Sequence, residues 1–161
     1  YGEELGQAGL HGLEGDKPLR APMSWVGEGA AGGFTTGEPF RPLAPNLATH
    51  DAASQQQNPE SILGFYKAML KLRNERASIA RGSFERSFAE GMVLGFTRRL
   101  LRERTLVLIN YGASPVTLGA AHFPRGARLR PLYPAGGVPM QTGADGWPLL
   151  PPQSVQVFDL R

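Results

Sequence analysis

The sequence predicts an α+β fold class, in which a loop-rich first part and one amphipathic helix precede an antiparallel β-sandwich. Three observations support this prediction. Apolar residues recur at helical spacing across residues 59–75, and they alternate with a period of two after Gly82. Residues 20–40 follow neither period and contain many glycines. We therefore expect the elements in the order loop, helix and β-sandwich.

Length and composition limit the possible classes of protein. The chain has 161 residues, of which 41% are hydrophobic and 19% charged, as in ordinary globular proteins with one or two domains. No apolar run approaches the ~20 residues that cross a bilayer, so no membrane partner is expected. Tyr1 opens no secretory signal, which favours a cytoplasmic protein, and the missing initiator methionine suits a fragment or a processed chain. Cysteine is absent, which excludes disulfides and thiolate zinc sites.

The net charge of +3 raises the question of a nucleic-acid partner. Arginines cluster within residues 98–104 and again within residues 125–130. Leucines interrupt the first cluster, which falls where a hairpin turn is expected, so a solvated turn is favoured over a phosphate-binding patch. No nucleic-acid-binding motif accompanies either cluster. Nucleic acid is therefore not expected as a partner.

The first nineteen residues suggest a short strand end that runs into a surface turn. Glu3 and Glu4 are adjacent, and adjacent strand residues point to opposite faces, so they are not expected to act together as acid and base. His11, Glu14 and Asp16 match neither a calcium loop nor a zinc pattern. No metal site and no cofactor is predicted here or elsewhere in the chain.

Residues 20–40 read RAPMSWVGEGAAGGFTTGEPF and predict an ordered loop. Its large apolar side chains, Trp25 and Phe34 among them, are separated by glycines that permit a tight backbone path. Proline steps stiffen both ends of the loop. A loop of this length in a compact domain is usually functional or disordered. Arg20 carries a planar, permanently charged group that makes forked hydrogen bonds, which suits either binding or a structural role.

These residues carry a resemblance to a known family. RAPMSW followed by GGFTTGEPFRP resembles the loop after the eighth strand of α-glucosidases in the α-amylase superfamily, glycoside hydrolase family 13, of the oligo-1,6-glucosidase type. Residues 1–6 resemble the end of the eighth barrel strand, and residues 58–82 resemble the eighth barrel helix. The resemblance implies that residues 1–82 are the last strand, loop and helix of a (β/α)8 barrel. Residues 83–161 would then be the C-terminal β-sandwich domain.

The same resemblance implies one substrate-binding residue, Arg20, and the aromatic side chains of Trp25 and Phe34 suggest two more. Arg20 corresponds to an arginine beside the sugar on the non-reducing side of the cleaved bond. Trp25 and Phe34 would stack on a sugar ring, although a role in anchoring the loop is favoured for both. The chain departs from many relatives after the tryptophan, where residues 26–28 replace acidic residues. This departure leaves the assignment of individual subsites open.

The middle of the chain predicts a linker and then a helix. His50 and Asp51 are interpreted as exposed polar linker residues. Asn58 is expected to cap a helix over residues 59–75, with Pro59 in its first turn and one face packed on a core. Gly82 marks the exit from this segment.

After Gly82, six short segments have the pattern of β-strands. Residues 106–109 are apolar on both faces, which is typical of a central strand. Met92, Leu94 and Phe96 share one face of the second strand. The six predicted strands are SFERSFA, MVLGFTR, TLVLINY, PVTLGA, ARLRPLY and SVQVFDL.

The resemblance implies a retaining α-glycoside hydrolase that acts on α-glucosides or maltooligosaccharides. Retention requires two carboxyl groups ~5 Å apart, and in the family these lie on earlier barrel strands. The chain alone is therefore expected to be inactive, with the remainder of the barrel as its partner. An uncovered barrel edge would also favour self-association. Two alternatives stay open: a stand-alone carbohydrate-binding or interaction module, and part of a transglycosylase such as a trehalose-forming isomerase.

Overall fold

The computed structural model describes residues 1–123 and 125–161. Its contacts divide the chain into two compact units, Tyr1–Leu70 and Lys71–Arg161. The predicted domain boundary after residue 82 stays a prediction. Within the described residues, none of the helices has the length and hydrophobicity that a membrane-spanning helix requires.

The first unit contains little regular structure. It has two 3₁₀ turns, Glu3–Leu5 and Lys17–Leu19, and one short helix, α1, at Ala52–Gln56. A longer helix, α2, spans Ile62–Glu75, so it begins in the first unit and ends in the second. Long loops make up most of the remaining residues.

The predicted strand end at residues 1–6 is wrong for the described structure, because this segment forms a 3₁₀ turn. Gly2 and Gly6 flank the turn with φ angles of 71° and 65°, in the left-handed region that favours glycine. The backbone N–H of Leu5 donates to the carbonyl of Gly2 at 3.0 Å. A strand needs a hydrogen-bonded neighbouring strand. Within residues 1–123 and 125–161, no strand pairs with this segment.

Helix α2 is confirmed, but it begins three residues later than predicted. Asn58 accepts a hydrogen bond from the N–H of Glu60 at 3.0 Å and so forms a turn before the helix. Ser61 acts as the cap, because its Oγ accepts from the N–H of Gly64 at 3.0 Å. The predicted face of α2 is less buried than expected for a helix packed on a core. No residue of α2 is fully buried, and Leu70 is 57% exposed.

The second unit consists of a short helix, α3, at Ala77–Arg81 followed by two antiparallel sheets. The larger sheet has six strands in the order β1-β2-β3-β8-β5-β6, and the smaller pairs β4 with β7. The strands are β1 Ser83–Glu90, β2 Val93–Leu100, β3 Glu103–Asn110, β4 Val116–Thr117, β5 Arg128–Tyr133, β6 Met140–Gln141, β7 Leu149–Leu150 and β8 Ser154–Leu160.

All six predicted strands are present, although only Val116–Thr117 of the predicted PVTLGA is a strand, and β6 and β7 are two-residue additions. Strand β3 lies between β2 and β8, which confirms the central position predicted for residues 106–109. The buried face of β2 is formed by Val93, Gly95 and Thr97. The opposite face carries Met92, Leu94 and Phe96, which share one side as predicted. Leu94 and Phe96 are half-buried, and Met92 is exposed.

Both sheets contribute to one apolar core. Leu150 of the small sheet is fully buried together with Leu108 and Leu129 of the large sheet. Burial of such leucine side chains stabilises a fold by about 1.5–3 kcal/mol each. The unit is therefore a two-layer antiparallel β structure. The buried members of the core are Val93, Leu106, Leu108, Leu118, Phe123, Leu129, Leu150 and Phe158.

A buried ion-pair cluster ties the segment between α2 and α3 to the sheet. Asp159 on β8 accepts from Arg76 Nη2 at 2.7 Å and from Arg161 Nε at 2.9 Å. The Asp159 side chain is 7% exposed and that of Arg76 is 14% exposed. Arg76 also donates to the Thr105 hydroxyl on β3 at 3.2 Å. The loop before α3 is thus fixed by charge-assisted hydrogen bonds to two strands.

Candidate functional site

An open cleft of about 600 Å³ lies on the first unit, between its first residues and the glycine-rich loop. The loop contributes aromatic side chains, and the 3₁₀ turn contributes two carboxylates. The cleft is therefore apolar on one side and acidic on the other. Its lining residues are Tyr1, Gly2, Glu3, Glu4, Ala21, Pro22, Met23, Trp25, Phe34 and Phe40.

The aromatic side of the cleft is only partly covered by protein. Trp25 is 50% exposed and Phe34 is 39% exposed. The Phe34 and Phe40 rings contact each other with centroids 5.6 Å apart, inclined at 58°. Arg41 lies over the Phe40 ring, with 5.5 Å from its Cζ to the ring centroid. Large exposed rings held beside one another present apolar faces that suit the C–H surface of a ring-shaped ligand.

The position of Trp25 is set by backbone hydrogen bonds on both sides of it. Its N–H donates to the carbonyl of Gly32 at 2.9 Å, and its carbonyl accepts from the N–H of Ala53 at 3.0 Å. Gly33 has a φ of +73°, and a Cβ there would lie 3.1 Å from the Trp25 Cβ. Glycine is therefore required where the loop returns past the indole.

Three side-chain amides fix the backbone around the cleft, and each bridges a donor and an acceptor of the main chain. The bonded backbone groups lie 8 to 50 residues away in sequence. Such bonds replace the ladders of a sheet where the loop has none. Gln7 bonds Pro22 O at 3.0 Å and Ser24 N at 3.1 Å, Asn46 bonds Gly6 O at 3.0 Å and Ala8 N at 2.8 Å, and Gln55 bonds Leu5 O at 2.8 Å and Leu63 N at 3.0 Å.

Asp51 is fully buried, so its interpretation as an exposed linker residue is wrong. It caps helix α1, since its Oδ1 accepts from the N–H of Ser54 at 3.0 Å. Burial raises the pKa of Asp51, but hydrogen bonds from Ser54 and the amide of Ala53 outweigh it and hold that pKa below 3.8. His50 is only half-buried and contacts the Thr49 hydroxyl through Nδ1 at 2.9 Å.

The structure brings two of the three predicted substrate-binding residues into the cleft. Trp25 and Phe34 line it, whereas Arg20 is absent from its lining. Arg20 forms an ion pair with Asp16 across the second 3₁₀ turn, and both side chains are more than half exposed. The binding roles of all three residues stay predictions.

Sequence reasoning missed the acidic side of the cleft. It treated Glu3 and Glu4 as strand residues with opposite directions, but the 3₁₀ turn allows both to line the cleft. The glycines on either side of this pair were the available signal. Within residues 1–123 and 125–161, no group of three or more His, Asp or Glu side chains could hold a metal ion.

Comparison with known families identifies the class of protein. Residues 2–82 match the Alpha-amylase family, described as "Alpha amylase, catalytic domain", over half of the chain. The chain belongs to this family. This match confirms the resemblance that residues 20–40 suggest.

Curated relatives narrow the similarity to glucosidases. The chain is 36% identical over 66 residues to "Probable oligo-1,6-glucosidase 2" of Bacillus subtilis, which covers 41% of the chain and 12% of that protein. It is 30% identical over 102 residues to "Oligo-1,6-glucosidase" of Bacillus cereus, covering 63% of the chain and 18% of the relative. The chain thus spans less than a fifth of the length of these relatives.

Solved structures support the fold over most of the chain. The trehalulose synthase MutB from Pseudomonas mesoacidophila MX-45 superposes with a TM-score of 0.74 at 26% identity, covering 89% of this chain and 26% of MutB. A MutB mutant in complex with the substrate sucrose gives a TM-score of 0.76 at 25% identity, covering 92% and 26%. The fold is therefore that of a segment of an α-amylase-family protein.

Proposed function

We propose that this chain is the C-terminal portion of a retaining α-glycoside hydrolase that acts on α-glucosides. The observation that carries the proposal is the match of residues 2–82 to the α-amylase catalytic domain. The aromatic cleft lies within these matched residues and offers a binding surface. The names of the relatives, oligo-1,6-glucosidase among them, favour glucosides as the substrate class.

Residues 1–82 would complete the (β/α)8 barrel with its last strand, loop and helix, and residues 83–161 would form the C-terminal β-sandwich. In the complete barrel, residues 1–6 would lie beside the neighbouring barrel strand, with the 3₁₀ turn Glu3–Leu5 still lining the cleft. The remainder of the barrel is accordingly the first partner of this chain.

The chemistry follows from the retaining mechanism. A carboxylic acid protonates the leaving oxygen, a carboxylate forms a covalent glucosyl intermediate, and water or an acceptor sugar releases it. Both groups would come from earlier barrel strands, so the role of this chain is to hold the substrate. Trp25 and Phe34 would cover a sugar face, and Arg20 would exchange its exposed pairing with Asp16 for hydrogen bonds to sugar oxygens.

The proposal is tested by incubating an enzyme that contains this chain with maltose, isomaltose and sucrose, and by separating the products. Release of glucose with retained α-configuration supports the proposal. The 161-residue chain alone should release none under the same conditions. Absence of turnover of all three α-glucosides by the complete enzyme would refute it.

A transglycosylase is the second candidate, and the similarity to trehalulose synthase structures favours it. Isomers of sucrose without net release of monosaccharides would identify this activity in the same experiment. A stand-alone carbohydrate-binding module is the third candidate, and the exposed aromatic cleft supports it. Millimolar or tighter binding of maltotriose by the 161-residue chain, with no barrel elsewhere in the protein, would favour it.

A further inference from the structure

The second unit contains a pocket of about 250 Å³ that the proposed hydrolase activity does not use. It lies against strands β1, β2 and β3, with residues 122–123 and 125–127 also in its lining. Four arginines line it, and its apolar surface includes Phe88 and Leu106. The arginines are Arg86, Arg104, Arg125 and Arg161.

Most arginines of this pocket lack an acidic side-chain partner among the described residues. No Asp or Glu is among its lining residues. Arg86, Arg104 and Arg125 have no acidic side-chain partner within the part of the chain that the structure describes, whereas Arg161 pairs with Asp159 at 2.9 Å. Like charges that line one pocket repel each other, and an anion bound between them would reduce that repulsion.

Arg86 reaches this pocket from an irregular backbone position. The register of β1 against β2 shifts between Glu85 and Phe88, which marks a β-bulge. Arg86 lies in it with a φ of 47°, a left-handed conformation that is uncommon for residues other than glycine. Bulges redirect side chains, and unfavourable backbone angles concentrate at functional sites. This irregular position therefore carries a guanidinium into the lining of the pocket.

The rings of Phe88, His122 and Phe123 line the same pocket. The His122 imidazole stacks on Phe88 with ring centres 4.0 Å apart and planes at 20°. Phe123 meets Phe88 edge-on, at 6.5 Å and 86°. Glu90 bonds His122 Nε2, which fixes the imidazole while Glu90 itself stays outside the pocket lining. A ligand can thus rest its carbon skeleton on rings while its charge meets the arginines.

We propose that this pocket binds a small phosphate monoester. Guanidinium groups match the oxygens of a phosphate through paired hydrogen bonds, and several of them together favour a dianion over a carboxylate. The volume of about 250 Å³ lies below that of pockets for drug-sized ligands and suits a phosphate with one small ring. The two basic clusters of the sequence thus contribute Arg104 and Arg125 to one site.

The proposal is tested by calorimetric titration of the 161-residue chain with inorganic phosphate, glucose 6-phosphate and glucose, in chloride buffer at constant ionic strength. We expect both phosphates to bind and glucose to give no signal at this site. Arg125→Gln should weaken phosphate binding at least fivefold, and the double variant Arg86→Gln/Arg125→Gln at least fiftyfold. The matched control, Arg102→Gln, removes one charge from the exposed β2–β3 turn and should change the affinity less than twofold.

Two results would overturn the proposal: no phosphate binding above that of chloride, or equal weakening by Arg125→Gln and Arg102→Gln. Circular dichroism shows whether each variant folds, and Arg125 lies on an exposed loop, so its replacement leaves the strands intact. Glycosidase activity is not a readout. Failure of this proposal is therefore distinguishable from failure of the proposed function.

Discussion

The two units of the chain satisfy their buried polar groups in different ways. In Tyr1–Leu70 the loop backbone is bonded by the side-chain amides of Gln7, Asn46 and Gln55. In Lys71–Arg161 the backbone is bonded by strand ladders over an eight-residue apolar core. A ladder shares its bonds among many residues, whereas each amide carries two bonds alone. The first unit should therefore depend on single polar side chains.

The buried carboxylates show the same contrast. Asp51 is held by backbone N–H groups at the start of a helix, and its Oδ2 has no hydrogen-bond partner among the described residues. Asp159 is held by guanidinium groups, chiefly that of Arg76.

Each unit also contains one of the two tryptophans, Trp25 and Trp147. Replacing one tryptophan with phenylalanine leaves the other as the fluorescent reporter of its own unit.

The largest loss of stability is expected for Arg76→Met in the second unit. This change leaves the buried Asp159 without its shortest ion pair, and breaking a buried pair costs about 3–5 kcal/mol. Because Arg161 and Arg130 remain nearby, we expect a loss of about 3 kcal/mol. Urea unfolding followed by Trp147 in a Trp25→Phe background measures it.

The control for this prediction is Lys71→Met. It breaks the Lys71–Glu75 pair, whose side chains are 73% and 58% exposed, and should cost less than about 1 kcal/mol. Equal effects of Arg76→Met and Lys71→Met would show that the buried cluster contributes nothing special.

An intermediate loss is expected for Gln55→Ala in the first unit. The change leaves the Leu5 carbonyl and the Leu63 N–H without their side-chain partner, at a cost of about 2 kcal/mol. Trp25 fluorescence during urea unfolding, in a Trp147→Phe background, measures it. Asn58→Ala, which removes one exposed turn bond, is the control and should cost under about 1 kcal/mol. A Gln55→Ala effect no larger than the control would contradict the role of the amides.

The smallest effect is expected from acid. Burial raises the pKa of Asp159, but Arg76 and Arg161 outweigh it, so its pKa lies below 3.8, as does that of Asp51. A lowered folded pKa stabilises the fold above the unfolded pKa, and this stability is lost as pH falls below about 3.8. Unfolding free energies should be level from pH 7 to 5 and should fall below pH 4. Asp51→Asn keeps a capping side chain but cannot ionise. In this variant, the unfolding free energy reported by Trp25 should decrease less below pH 4.

The regular elements were predictable because their signals are local. Strands β1, β2, β3, β5 and β8 follow from alternation, and α2 follows from its apolar spacing. The start of α2 was misplaced because Asn58 and Ser61 are both good caps, and only the hydrogen bonds distinguish them. Strands β6 and β7, with two residues each, are too short to show a period.

The sites depend on distant contacts that no local pattern contains. Burial of Asp51 follows from the return of the loop past Ser24, whose carbonyl accepts from the N–H of Ala52 at 2.9 Å. The arginine pocket forms because strand pairing and a bulge bring Arg86 near Arg104. The aromatic cleft was partly predictable, because Trp25 and Phe34 lie in a motif of unusual length.

The most direct test of the account is Arg20→Ala in a complete enzyme that contains this chain, with kcat/KM measured on an α-glucoside. If the loop positions the sugar, kcat/KM should fall by the equivalent of ~2–4 kcal/mol, as for loss of a charged hydrogen-bond partner. Asp16→Asn, which removes only the partner of the exposed ion pair, should change kcat/KM by less than about 1 kcal/mol. An unchanged kcat/KM in Arg20→Ala, or an equal loss in both variants, would contradict the positioning role.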